Sequence, residues 1–116
     1  MTRFLVAIAF ATTSAAANAQ SQNVNVTLTE WKVQMTRDTV TAGTVVFQVN
    51  NRGNMAHSFH VEGEGIDKGT RDIPARQADA LTLTLKAGTY NVYCAMSEGS
   101  HKQAGMAKKL VVLPAS

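Results

Sequence analysis

Residues 81–94, "LTLTLKAGTYNVYC", carry a clear indication of the fold. Leucine alternates with threonine before Gly88, and apolar side chains again take every second position from Tyr90 to Cys94. Period-two alternation is typical of strands with one buried face, and glycine marks a turn. The stretch therefore predicts a hairpin around Gly88, with Cys94 at the end of its second strand.

Similar patterns recur along the rest of the chain, in residues 24–28, 45–49, 59–61 and the closing run 107–113. No sustained helical periodicity is visible, and the one long loop, residues 63–79, has room for a short helix or an irregular edge strand. The pattern predicts an all-β fold, an antiparallel Greek-key β-sandwich of seven or eight strands. The large aromatic side chains are expected in the core or at its edge: Trp31, Phe47, Phe59 and Tyr90.

The N-terminus has the layout of a secretory signal peptide. A single positive charge, Arg3, precedes an apolar run from Phe4 to Ala11, and Ala17-Asn18-Ala19 matches a cleavage site. The apolar run is shorter than the ~20 residues that span a bilayer, so no membrane span is expected in the mature chain. We predict a signal peptide at residues 1–19, one mature domain at residues 20–116, and a periplasmic location.

Charge and composition narrow the range of partners. Without Arg3 the chain has ten Lys and Arg against eight Asp and Glu, a net charge of +2. No basic cluster with interleaved aromatic residues indicates a nucleic-acid partner. The mature chain is large enough for one core without disulfide bonds, and we expect a monomer.

The chain has a single cysteine, Cys94. An oxidising compartment favours paired cysteines, and Cys94 has no partner within the chain. It is therefore expected to be buried and inert, paired with another chain, or protected as a metal ligand.

Strand direction brings four sulfur- and imidazole-bearing residues to one end of the sandwich. If the strand 44–51 runs upward, His57 follows its top loop, and Cys94 ends the upward strand after Gly88. His101 and Met106 lie in the next top loop. His57 shares its parity with the apolar residues after it.

The alternation of side chains after His57 also predicts which nearby residues lie outside the site. His60, Ser58 and Glu62 share the parity opposite to that of His57, so His60 is expected to face solvent as an ordinary surface residue.

Two imidazoles, one thiolate and one thioether form a specific donor set. Soft sulfur combined with imidazole selects copper, and a His₂Cys site with a weak axial Met is an electron-transfer copper site. Each of these residues taken singly has an ordinary structural explanation, but all four together predict one bound copper ion, Cu(I) or Cu(II).

The ordered pieces "AGTVVFQVNN", "MAHSFHVEG", "LTLTLKAGTYNVYC" and "HKQAGM" resemble the cupredoxins, the small blue copper proteins related to plastocyanin, azurin and rusticyanin. The resemblance covers most of the mature chain. It implies that His57, Cys94 and His101 are the equatorial ligands and Met106 the axial one.

Two departures from the family pattern affect the site. Six residues separate Cys94 from His101, more than in familiar members, which admits Met96 as a competing axial sulfur. Ser58 stands where plastocyanin and azurin have an Asn that hydrogen-bonds to the ligand loop.

The function expected from these features is that of a periplasmic type 1 copper protein carrying single electrons between protein partners. The partners would dock near His101, whose ring edge should reach solvent among Ala56, Ala104 and Gly105, with His57 more buried. The first alternative is a non-enzymatic copper-binding or copper-delivery protein with the same ligands, and the second is a metal-free interaction module. No enzyme is expected, because three histidines and one cysteine cannot build a second copper centre.

Overall fold

The computed structural model describes residues 21–96, 100–103 and 105–115. The predicted signal peptide at residues 1–19 lies outside the described residues, as does Ala104. The described elements are β1 (Gln22–Thr29), β2 (Lys32–Met35), β3 (Thr39–Thr41), β4 (Gly43–Asn51), β5 (His60–Gly63), β6 (Ile66–Gly69), β7 (Ala78–Leu85), β8 (Gly88–Tyr93), α1 (Ser100–Gln103) and β9 (Ala107–Leu113).

The first sheet has the strand order β2-β1-β4-β7. Strands β1 and β4 run parallel, with Val24 beside Phe47 and Val26 beside Val49. Since side chains alternate between the two faces of a strand, these four residues share the inner face, and each is at most 1% exposed. The alternation seen in the sequence is thus the alternation between core and outer face.

The second sheet has the order β3-β9-β8-β5-β6. Its central strand, β8, pairs antiparallel with β9 and β5, which places Tyr90 beside Leu110 and Val92 beside Val61. All four of these side chains are buried. The two inner faces form one core, in which the ring centroids of Phe47 and Phe59 lie 5.1 Å apart.

The all-β sandwich prediction is confirmed, with refinements in strand number and pairing. Three short strands, β2, β3 and β6, lie at sheet edges and are too brief for a clear period in the sequence. They raise the number of strands in the described residues to nine. Strand β6 is the edge strand that the long loop had room for, and the pairs β1–β4 and β3–β9 are parallel.

The predicted hairpin around Gly88 is wrong in one respect. Strands β7 and β8 reverse direction there, but β7 belongs to the first sheet and β8 to the second, so they do not pair. The Tyr90 hydroxyl donates a hydrogen bond of 2.8 Å to the carbonyl of Lys86 across this corner. Alternation around a glycine predicts a reversal of direction but carries no information about the pairing partner.

Trp31 also departs from its prediction, which placed it in the core or at the edge of the core. Phe47, Phe59 and Tyr90 are buried as expected, but Trp31 is 49% exposed. It lies in the turn formed by residues 30 and 31, between β1 and β2, where its φ is 64°. Because a turn does not follow the alternation of the strands, neither that alternation nor the aromatic character of Trp31 predicts its exposure.

The strand directions bring three connections to one end of the sandwich. Strand β4 ends at Asn51, β8 ends at Tyr93 and β9 begins at Ala107. At this end, beside the turn at residues 30 and 31, the segment 52–59 therefore meets the described parts of the segment after β8, residues 94–96, 100–103 and 105–106. None of the helices in the described part of the chain has the length and apolar character needed to cross a membrane.

Candidate metal centre

Three of the four predicted donor residues converge in the core at this end. The Nδ1 atoms of His57 and His101 lie 3.3 Å apart, and Cys94 Sγ lies 3.9 Å from the first and 3.7 Å from the second. His57 and Cys94 are fully buried, and His101 is 5% exposed. In the described residues these three form a group of side chains that can hold a metal ion.

The size of this triangle fits a transition-metal ion. The point equidistant from the three atoms lies about 2.1 Å from each, close to the lengths of about 2.0–2.3 Å that imidazole nitrogen and thiolate sulfur adopt on zinc. One thiolate and two imidazoles are the equatorial set of electron-transfer copper sites. The donor set and its dimensions therefore suit copper.

Met106, the fourth predicted donor, is fully buried beside this group. Its backbone N–H donates to the carbonyl of His101, and its carbonyl accepts from the N–H of Cys94, both at 3.0 Å. These two bonds tie the methionine to both residues of the loop that supply donors. Met96 is half-buried and packs against the core.

His57 is fixed by its backbone rather than by a regular strand. It forms an isolated bridge with Ile73, through an N–H to carbonyl bond of 3.1 Å and the return bond of 2.7 Å. Asn51, only 2% exposed, braces this bridge by donating from Nδ2 to the carbonyls of Ile73 and Met55. No motif in the sequence points to this role of Asn51, because an Asn at a strand end is usually a turn residue.

Ser58 is another residue whose position was predicted wrongly from strand alternation. It is fully buried, although it was predicted to share the solvent side with His60. Because β5 begins only at His60, residues 57 and 58 need not alternate between two faces. The Ser58 N–H donates to Cys94 Sγ at 3.3 Å, and Ser58 Oγ accepts from the N–H of Ala95 at 3.1 Å.

Glu30 contacts the site from the turn between β1 and β2. Its Oε1 lies 3.3 Å from His57 Nε2, on the side of the ring opposite the donor triangle. Hydrogen bonds, first of all from the backbone N–H of Asn54, hold the pKa of Glu30 below its usual value. Burial lowers the pKa of His57 below its usual value, and the bond to Glu30 opposes this shift. No spacing motif predicts the contact, since the two residues are 27 positions apart.

Trp31, the next residue, covers the other imidazole. Its ring lies edge-on to that of His101, with centroids 5.1 Å apart and an interplanar angle of 74°. The prediction that His57 is the more buried histidine is confirmed, but His101, whose ring edge was expected to reach solvent, is itself buried and only 5% exposed. Of the small residues expected around His101, Gly105 is exposed and Ala56 half-buried. The exposed aromatic ring beside His101 was not predicted.

His60 lies outside the donor group, as predicted, but it is not simply a surface residue. It is half-buried and stacks on Tyr93, with centroids 5.2 Å apart. The Tyr93 hydroxyl donates to the carboxylate of Asp67 at 3.0 Å. Burial, together with this carboxylate, raises the pKa of Tyr93 to about 12.

Solved structures with the same fold include blue copper proteins. Reduced auracyanin from the photosynthetic bacterium Roseiflexus castenholzii matches with a TM-score of 0.68 and 17% identity, over 80% of this chain and 98% of that one. Auracyanin A, a "blue" copper protein from Chloroflexus aurantiacus, matches with a TM-score of 0.63 and 18% identity, over 80% and 99%. A multicopper oxidase matches with a TM-score of 0.59 and 15% identity, over 82% of this chain but only 42% of the oxidase chain.

No curated protein sequence matches the chain. The sequence model of the cupredoxin-like domain, in contrast, matches residues 2–106, which is most of the chain. The buried His, Cys and His donors, the two-sheet sandwich and this match agree with one another. The chain belongs to the cupredoxin-like domain family.

Proposed function

We propose that the protein is a type 1 blue copper protein that carries single electrons between protein partners. His57 Nδ1, Cys94 Sγ and His101 Nδ1 would hold one copper ion, and the Met106 thioether would be a weaker fourth donor. The observation that carries the proposal is the buried triangle of these three donor atoms. The auracyanins of the same fold, one of them described as a blue copper protein, support it.

Copper in such a site supplies a one-electron Cu(I)/Cu(II) couple. The protein's part is to hold one set of donors for both oxidation states. Ser58 fixes the thiolate through its N–H, and the Ile73 bridge fixes the backbone of His57. Donors held by backbone hydrogen bonds move little when the charge changes, which favours fast electron transfer.

The exposed residues at this end suggest where a redox partner docks. Trp31 and Met55 are 49% and 41% exposed. The Trp31 ring also contacts the ring of His101 edge-on. Three exposed basic side chains, Lys32, Arg52 and Arg76, come from the same end of the sandwich. A partner with an acidic rim around an apolar contact would complement this surface, and electrons would pass through His101 and Trp31.

We expect the chain to act in the periplasm after cleavage behind Ala19. The support is the Arg3 n-region, the short apolar run and the Ala17-Asn18-Ala19 pattern. Intact-mass measurement of the exported protein tests this expectation. A mature chain that retains Met1 would contradict it.

The proposed role is that of a carrier rather than an enzyme. A second copper centre, as multicopper oxidases have, needs further imidazoles. The chain has three histidines, of which two lie in the donor group and His60 stacks on Tyr93.

The test is to add Cu(II) to the purified mature chain and record its visible and EPR spectra. A thiolate-to-copper charge-transfer band and a type 1 EPR signal are expected, and a colourless adduct would overturn the proposal. Protein-film voltammetry then separates carrying electrons from delivering copper. An electron carrier keeps its metal through many redox cycles, whereas release of copper to a mild Cu(I) chelator on reduction indicates delivery.

A further inference from the structure

The carboxylate of Glu30 meets the only ring nitrogen of His57 that does not face the donor triangle. We propose that Glu30 is a positioning residue for the metal: it fixes the tautomer of His57 and strengthens this imidazole as a copper donor. The inference rests on the proposed function for its effect on copper, but its effect on the tautomer can be measured without metal.

The chemistry of imidazole explains the effect on the tautomer. A neutral imidazole has one N–H and one nitrogen lone pair, and an ionised carboxylate can only accept hydrogen bonds. Glu30 Oε1, 3.3 Å from Nε2, therefore favours the proton on Nε2. The lone pair is then left on Nδ1, the atom that faces Cys94 and His101.

Glu30 is itself held in place, which separates this contact from a chance surface pair. The same Oε1 accepts from the backbone N–H of Asn54 at 2.5 Å and from that of Met55 at 3.3 Å. The Glu30 side chain is 28% exposed and that of His57 is fully buried. Two backbone donors and the imidazole thus converge on one carboxylate oxygen.

Gly53 provides the space for this arrangement. A Cβ atom there would lie 2.9 Å from His57 Nε2 and would collide with Glu30 Oε1. Gly53 is buried, and its N–H donates to Asn51 Oδ1 at 2.9 Å. The backbone approaches the pair so closely that only glycine fits without displacing the carboxylate.

A carboxylate on the outer nitrogen of a ligand histidine raises the basicity of that ligand. It also adds a negative charge near the metal, which favours Cu(II) over Cu(I). Loss of Glu30 should therefore weaken Cu(II) binding, by about the 10- to 100-fold typical of such outer partners, and raise the reduction potential.

The experiment compares three variants with the wild-type chain. Glu30→Gln keeps the shape and one acceptor oxygen but removes the charge, and Glu30→Ala removes both. Glu64→Gln is the matched control, because it removes the same charge from the β5–β6 turn at the opposite end of the sandwich. The readouts are the His57 tautomer by ¹⁵N NMR of the metal-free protein, Cu(II) affinity by chelator competition, and the reduction potential.

We expect the Nε2–H tautomer to dominate in the wild type and in Glu64→Gln, and to give way to a mixture in Glu30→Ala. Glu30→Gln, which is isosteric and should fold, should keep most of the tautomer preference but raise the potential. Unchanged tautomer, affinity and potential in both Glu30 variants would overturn the inference. If the wild type forms no blue site, the proposed function fails, while the NMR comparison still decides the role of Glu30.

Gly53→Ala provides an independent perturbation of the same contact. Gly53 does not have a positive φ, so alanine meets no backbone obstacle and acts through its Cβ alone. It should shift the tautomer and the Cu(II) affinity in the direction of Glu30→Ala. A Gly53→Ala protein that behaves as the wild type in both measurements would contradict the close packing on which the inference depends.

Discussion

The two sides of the candidate metal centre are held in different ways. On one side, His57 is locked by the Ile73 bridge, the buried amide of Asn51 and the carboxylate of Glu30. On the other, Cys94, His101 and Met106 share one loop, which is closed by two backbone hydrogen bonds between them. The sandwich core thus holds His57 in place, while the connection between β8 and β9 carries the other three predicted donors.

Removal of the thiolate should produce the largest effect on the loop side. Cys94→Ser should abolish the blue colour, because the band arises from sulfur-to-copper charge transfer and a hydroxyl is a hard, weak donor. The visible spectrum after Cu(II) addition measures this. A persisting blue band would remove Cys94 from the site.

Loss of Asn51 should produce the largest effect on the His57 side. Asn51→Ala removes the hydrogen-bond partner of the Met55 carbonyl and of the Gly53 N–H, and leaves the Ile73 carbonyl with the N–H of His57 alone. Since each unsatisfied buried group costs about 1–3 kcal/mol, we expect the free energy of unfolding to fall by about 3 kcal/mol.

Urea denaturation of the metal-free protein measures the change. The control is Asn50→Ala, the same substitution at the neighbouring exposed position of β4, which should cost under about 0.5 kcal/mol. Equal losses in the two variants would show that the Asn51 bonds do not brace this side.

Substitution of the two methionines sharpens the assignment within the loop. Met106→Leu should keep a coloured site but raise its potential, because loss of axial sulfur destabilises Cu(II) more than Cu(I). Met96→Leu is the control and should leave the potential nearly unchanged. A shift in Met96→Leu without one in Met106→Leu would reassign the axial ligand to Met96.

The smallest effect is expected from the third histidine. His60→Ala removes a ring that stacks on Tyr93 and lies outside the donor group. The copper spectrum and potential should be nearly unchanged, with at most a small loss of stability from the lost stacking. A changed EPR signal would show that the stacking of His60 on Tyr93 affects the geometry of the copper site.

The sequence predicted a large part of the fold because period-two alternation reports directly which side chains face the core. Alternation predicted β1, β4, β5, β7, β8 and β9, and the directions of β4 and β8 predicted the end where His57, Cys94, His101 and Met106 gather. It could not give the pairing partners, so the crossing from β7 to β8 between the sheets was missed. Alternation is a local property, whereas pairing depends on how distant strands share the core.

The donor chemistry can be predicted from the sequence, because one thiol, two imidazoles and a thioether follow strands that end together. The groups that surround these donors depend on tertiary contacts. The turn at residues 30 and 31 brings Glu30 to His57 and Trp31 to His101, and the late start of β5 turns Ser58 inward to Cys94. These contacts join residues up to 70 positions apart, from Trp31 to His101, and no local pattern encodes them because they arise only when the two sheets close over one core.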